Sequence, residues 1–147
     1  MISMNDFYTD RILWKARQHG FPGAACHLVA DIDASWRAQV CAQAQCTGDP
    51  VLLFWSGSSL WTLLTNREIV SWNGKTISGI LLDSIQKRIK LEPVEGTQAQ
   101  SSKLYSQYLH LGPAGIRIWA PAGSQLLSLW NILGMFPLMQ GAERGPD

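Results

Sequence analysis

From Val51 to Trp119 short apolar runs alternate with turn formers, a pattern that predicts antiparallel strands joined tightly. The sharpest signal is Asn73-Gly74, set between Val70-Ser71-Trp72 and Lys75-Thr76-Ile77. Asn-Gly suits a type I′ turn, which needs positive φ at both central residues. A two-residue loop there pairs Trp72 with Lys75, Ser71 with Thr76 and Val70 with Ile77. A second such loop at Asn66-Arg67 pairs Leu64 with Ile69, Leu63 with Val70 and Trp61 with Trp72. Because side chains alternate along a strand, Trp61, Leu63, Val70, Trp72 and Ile77 share one face, and Thr62, Ser71, Thr76 and Ser78 the other. The expectation is a half-buried meander with its polar face to solvent. Gly79 marks a bulge or bend.

Farther on, Ile85, Ile89 and Leu91 alternate with Gln86, Arg88 and Lys90 as in another strand, and residues 96–102 form a polar loop. Leu104 to Leu111 and Ile116 to Trp119 predict a last hairpin around Gly112-Pro113-Ala114-Gly115. Ser124 then caps an apolar helical stretch that runs to Met139. Its Leu126, Leu127, Leu129, Trp130, Ile132, Leu133, Met135 and Phe136 leave only Ser128, Asn131 and Gly134 as a small or polar stripe. That apolar surface is wider than a helix needs for its own core, and exposed apolar patches mark interaction sites. Trp130, Phe136, Met139 and Met135 are therefore the candidate partner-binding residues. Cover by the N-terminal helices and a homodimer through this helix are the competing uses of the surplus.

The leading residues predict helices. Ser3 and Asp6 resemble a capping box, Phe7, Tyr8, Ile12, Leu13 and Ala16 fall near helical spacing, and Gly20 is the stop. Phe21 to Ala30 is ambiguous between a helical turn and a strand. Asp33 caps a second helix through Gln45, with Trp36, Val40 and Cys41 on one side.

Leu63-Leu64-Thr65-Asn66-Arg67-Glu68-Ile69-Val70, followed by Ile80-Leu81-Leu82-Asp83-Ser84-Ile85, resembles the bacterial pleckstrin-homology-like (PH-like) domains over roughly residues 50–140. The resemblance implies an α+β fold: a strongly bent antiparallel sheet of about seven strands capped by a C-terminal helix. Residues 1–49 are then an N-terminal helical extension and 50–147 the PH-like domain, packed as one unit. Many eukaryotic members of the family bind phosphoinositides through Lys and Arg between the first two strands. Here that loop is Ser56-Gly57-Ser58-Ser59, without a basic residue. Bacterial members often serve as interaction modules.

Composition narrows the classes. At 147 residues the chain is long enough for a core without metals or disulfides. Hydrophobic residues make up 46% and charged residues 16%, so part of the surface must be neutral or apolar. Most of the seven tryptophans are expected in the core. A net charge of +1 argues against nucleic-acid binding, which needs a clearly basic face. Cys26, Cys41 and Cys46 lack C-x-x-C spacing and fit reduced thiols. With no signal peptide pattern and no apolar run long enough to span a bilayer, the expected location is the cytoplasm.

Catalytic constellations are weak. Cys26-His27 stands near Asp31 and Asp33, but adjacent residues rarely face each other, and a structural Cys beside a surface His with a capping Asp33 is the simpler reading. His19, His27 and His110 lack metal-ligand spacing, and there is no phosphate-binding G-x-x-x-x-G-K. No catalytic residue, metal or cofactor is expected. Lys87, Arg88 and Lys90 form the densest basic cluster, a candidate anion site or simply solvated strand charges. The leading expectation is a non-enzymatic protein-binding module, specifically a small immunity protein that neutralises a toxin by direct binding. The alternative is a PH-like adaptor for a lipid or membrane surface that uses those basic residues.

Overall fold

In a computed structural model, residues 4–23, 25–94 and 105–137 are described. Helix α1 (Met4–Gln18) is followed by β1 (Cys26–Leu28), a 3-10 turn (Val29–Asp31) and α2 (Ala34–Ala44). Strands β2 (Pro50–Gly57), β3 (Leu60–Thr65), β4 (Glu68–Trp72) and β5 (Ile77–Leu81) come next, then the single turn α3 (Leu82–Ile85). β6 (Ile89–Leu91), β7 (Tyr108–Leu111), β8 (Ile116–Trp119) and α4 (Ser124–Leu133) complete the described elements. The fold is α+β, with a five-stranded antiparallel sheet in the order β1-β2-β3-β4-β5 and a three-stranded one in the order β6-β7-β8. Two sheets with eight strands thus stand where one bent sheet of about seven was expected.

The Asn66-Arg67 turn gives the expected register, with Trp61 opposite Trp72, Leu63 opposite Val70 and Leu64 opposite Ile69. The Asn73-Gly74 register is corrected by two residues: Ile77, Ser78 and Gly79 stand opposite Trp72, Ser71 and Val70. Only Gly74 has positive φ (89°), so no type I′ turn forms. The Asn73 side chain instead accepts from the Lys75 and Thr76 amides, both at 2.9 Å, and closes a four-residue loop. An even shift keeps every side chain on its expected face. Gly79 sits in regular register and makes no bulge; the irregularities lie between β2 and β3.

The polar face of the meander is covered at Thr62 and Ser71, while Thr76 is exposed and Ser78 half-buried. Leu52, Phe54, Leu64 and Ile69 on that side meet Leu109, Leu111 and Ile118 of the second sheet and Leu126, Leu129, Ile132 and Leu133 of α4 in one core. Thr62 and Ser71 are buried with them, their hydroxyls 2.9 Å apart. Ser71 Oγ accepts from the Trp119 amide at 3.1 Å and Thr62 donates to the Trp119 carbonyl. β8 is an edge strand of its sheet, so these hydroxyls satisfy backbone groups that a neighbouring strand would otherwise take. The opposite face, with Leu53, Trp61, Leu63 and Val70, is covered by Val29 and by Val40 and Ala44 of α2.

Other expectations change as well. The strand expected from Ile85 begins only at Ile89, because Ile85 closes the helical turn α3, which ends at Gln86 and Lys87 with φ 54° and 60°. Ser124 is the first residue of α4 and not its cap; Gly123 at φ 90° holds that position. The ambiguous segment after Phe21 is both things at once, strand through Leu28 and 3-10 turn thereafter. Only Trp61 and Trp119 are buried, Trp36, Trp55, Trp72 and Trp130 are half-buried, and Trp14 is exposed. The N-terminal extension is also more than helical. β1 pairs with β2, and α1 packs on β2 and α4, closing one side of the core with Tyr8, Ile12 and Ala16. The expected loop at residues 96–102, Ser3 and Leu104 lie outside the described residues.

Candidate functional site

Tertiary structure collects Lys87, Arg88 and Lys90 at the mouth of a cleft of about 600 Å³. One wall is the loop from α3 into β6, turned outward by the left-handed Gln86 and Lys87. The other is the β7–β8 loop Gly112-Pro113-Ala114-Gly115, with Ile89 and His110 also lining the cleft. Gly112 and Gly115 have φ 76° and 66°. At Gly112 a Cβ would stand 2.6 Å from Ile80 Cδ1, so the loop lies close on the β5–α3 corner. The Gly112 amide donates to the Arg88 carbonyl at 2.8 Å and fixes the two walls to each other.

Lys90, His110 and Arg117 stand in one cross-strand row on the outer face of the second sheet. Glu92 receives Arg117 through two hydrogen bonds, at 2.7 and 3.0 Å, and His110 Nε2 lies 2.9 Å from it. Arg117 also lies 3.4 Å over the Tyr108 ring. Hydrogen bonding from Arg117, against a smaller opposing effect of burial and with help from His110, holds the Glu92 carboxyl below its ordinary value. Glu92 is thus occupied by Arg117 and His110. Among the described residues Lys87, Arg88 and Lys90 make no ion pair. They are exposed and their charge faces solvent.

A second surface lies at the free edge of the larger sheet. β5 is the terminal strand, and among the described residues nothing pairs with its outer edge. Ile77 and Leu81 are 41% and 48% exposed, with Gly79 between them. They border a groove of about 260 Å³ that reaches Val70, Glu68 and the end of α2 at Ala44. Ile77 was expected on the covered face; it shares that face with Trp72, but the apolar cover supplied by α2 does not reach it. Whether an Ile-x-Gly-x-Leu strand is central or terminal depends on strand order, which leaves no local trace.

The helix-borne candidates fare differently. Phe136 is fully buried, its ring 4.9 Å from that of Tyr8, and is corrected from partner anchor to core residue. Trp130 and Met135 are half-buried against the same core. Met139 lies outside the described residues. Of the N-terminal helices named above as competing cover, α1 packs against α4, and β7 of the second sheet contacts it as well.

The Cys26 neighbourhood shows no activated nucleophile. Burial pushes the Cys26 thiol up to about 12. His27 points to the other face of the sheet, edge-on to Trp36 at 5.3 Å, and Trp36 meets Trp55 at 4.9 Å. Asp33 caps α2 by accepting from the Ser35 amide at 3.1 Å. Burial, with Cys41 and Glu68 nearby, raises the Cys46 thiol to about 11. Among the described residues no three His, Cys, Asp or Glu side chains gather as a metal site, and no helix is long and apolar enough to cross a membrane.

Comparison with known proteins adds no relative: no family model, no curated protein and no solved structure matches this chain.

Proposed function

We propose that this chain is a non-enzymatic protein-binding module on a PH-like scaffold, and that its partner lays an extended segment along β5. The scaffold reading is supported by element order: β2 to β8 are seven strands in two consecutive meanders, followed by α4. β1 is then an added strand from the N-terminal extension. The observation that carries the binding reading is the free edge of β5. Unpaired strand amides and carbonyls accept a further strand, and side chains at alternate positions select it. Ile77 and Leu81 supply apolar contacts, while Gly79 leaves the middle of the groove open. In the narrower form of this proposal the partner is a toxin whose active surface is covered, and the chain acts as its immunity protein.

A photo-crosslinking residue at position 77 or 81 should capture the partner from native lysate, and the partner should slow hydrogen exchange of the β5 amides. Ile77→Lys with Leu81→Lys should weaken retention of that protein at least about tenfold, the loss typical of removing central apolar contacts. Thermal stability should stay nearly unchanged, since charged residues are well tolerated on edge strands. Undiminished retention by the double variant would remove β5 from the interface. Capture of a second copy of this chain would make the interface a homodimer.

A further inference from the structure

We propose that the cleft between the α3–β6 loop and the β7–β8 loop binds a phosphate-bearing ligand. This site is separate from the β5 edge and does not depend on that reading. Three observations combine. First, Lys87, Arg88 and Lys90 line one cavity, while the residues between β7 and β8 that face them carry no charge. Second, Glu92, just past β6, is engaged by Arg117 and His110, and among the described residues Lys87, Arg88 and Lys90 make no ion pair. Third, the cleft is built: the Gly112 amide holds the two walls together at 2.8 Å, and left-handed glycines keep the far wall free of bulky side chains. A Cβ on Gly115 would stand 3.9 Å from His110 Nδ1, so that ring atom faces the loop while Nε2 is held by Glu92.

The ligand chemistry follows from the donors. A phosphomonoester carries up to two negative charges and three acceptor oxygens, which suits an Arg fork and two Lys ammonium groups better than one carboxylate does. At about 600 Å³ the cleft also has the size usual for small-ligand sites. The same headgroup chemistry occurs on soluble phosphates and on phosphatidic acid in a bilayer. No basic residue in the Ser56–Ser59 loop takes part.

The test uses the full chain and two probes. Inorganic pyrophosphate is titrated and followed by amide chemical shifts. Vesicles of phosphatidylcholine containing phosphatidic acid are compared in sedimentation with vesicles matched in charge by phosphatidylserine. Saturable binding that moves the amides of residues 87–90 and 112–115, and that falls at least about tenfold in Lys87→Gln with Arg88→Gln, supports the site. The control is Lys75→Gln, in the β4–β5 loop outside the cleft, which should bind as the wild type does. Pyrophosphate binding assigns a soluble source. Binding to phosphatidic acid vesicles alone, in preference to phosphatidylserine, assigns a headgroup. Either association should fall steeply with salt, as expected for exposed charges. Failure of both probes to bind, or equal loss in Lys75→Gln, would overturn the proposal.

Discussion

Glu68→Ala should destabilise this protein by about 3 kcal/mol, lowering the melting temperature by about 10 °C. Glu68 is only 9% exposed although it carries a charge. Its carboxylate accepts from the Gly48 amide at 2.9 Å, the Thr47 amide at 3.2 Å, Thr47 Oγ1 at 2.8 Å and Thr65 Oγ1 at 2.8 Å. These bonds tie the α2–β2 connection to the β3–β4 turn, so Ala would leave two amides without their acceptor. Glu68→Gln should fall between Ala and wild type, since an amide keeps one acceptor oxygen and turns its NH₂ toward other donors. The site is also tight: a Cβ at Gly48 would stand 2.5 Å from Thr65 Oγ1 and 2.8 Å from Asn66 Oδ1, so Gly48→Ala should be destabilising too.

The same site makes stability depend on pH. Burial by itself would raise the Glu68 carboxyl, but hydrogen bonds from Gly48, Thr65 and Thr47 outweigh it and hold the folded value below the ordinary one. A depressed folded value means the contribution is complete above the unfolded value and is lost as pH falls through the folded one. Wild type should therefore lose stability below about pH 4, and Glu68→Gln should lose less over the same range. Urea midpoints measured across that range decide it. Parallel curves for the two proteins would mean that Glu68 is not held in this way.

Phe136→Ala should cost about 3–5 kcal/mol through the cavity it leaves. The side chain has no exposed surface and joins Tyr8 of α1 to the core beneath α4. Its loss should lower the urea midpoint with the slope unchanged, the signature of a stability change without a change in unfolded surface. Trp130→Ala should cost less, because Trp130 is half-buried. A loss below about 1 kcal/mol for Phe136→Ala would return this residue to the surface and to the list of partner anchors.

The outcomes at Phe136 and Ile77 show where local reading stops. Periodicity made both residues apolar positions of regular elements, which does not hold for Phe136, since α4 ends at Leu133, but holds for Ile77 at the start of β5. It could not say that α1 would cover the first or that α2 would stop short of the second, since both depend on contacts between distant parts of the chain. At Asn73-Gly74 the turn was correctly placed, but the local preference for a type I′ turn gave way. An Asn73 side-chain cap allowed two more residues into the loop and brought Ile77 opposite Trp72. The basic residues were visible as a cluster on an expected strand. Their convergence was not, because the left-handed pair Gln86-Lys87 and the β7–β8 loop meet only in three dimensions.

By itself, then, the sequence determined the α+β class, the two-residue turn and register of β3 and β4, the cap at Asp33 and the alternation of faces. Each of these is set within a few residues, by side-chain periodicity or by turn and capping chemistry. Tertiary structure decided that the strands divide between two sheets and that Thr62 and Ser71 turn inward to serve the backbone of Trp119. It also decided which strand is left at the edge and which cations share a cleft. These depend on strand order and on which faces cover one another, and a chain fixes them only when all of its apolar surfaces compete for burial at once.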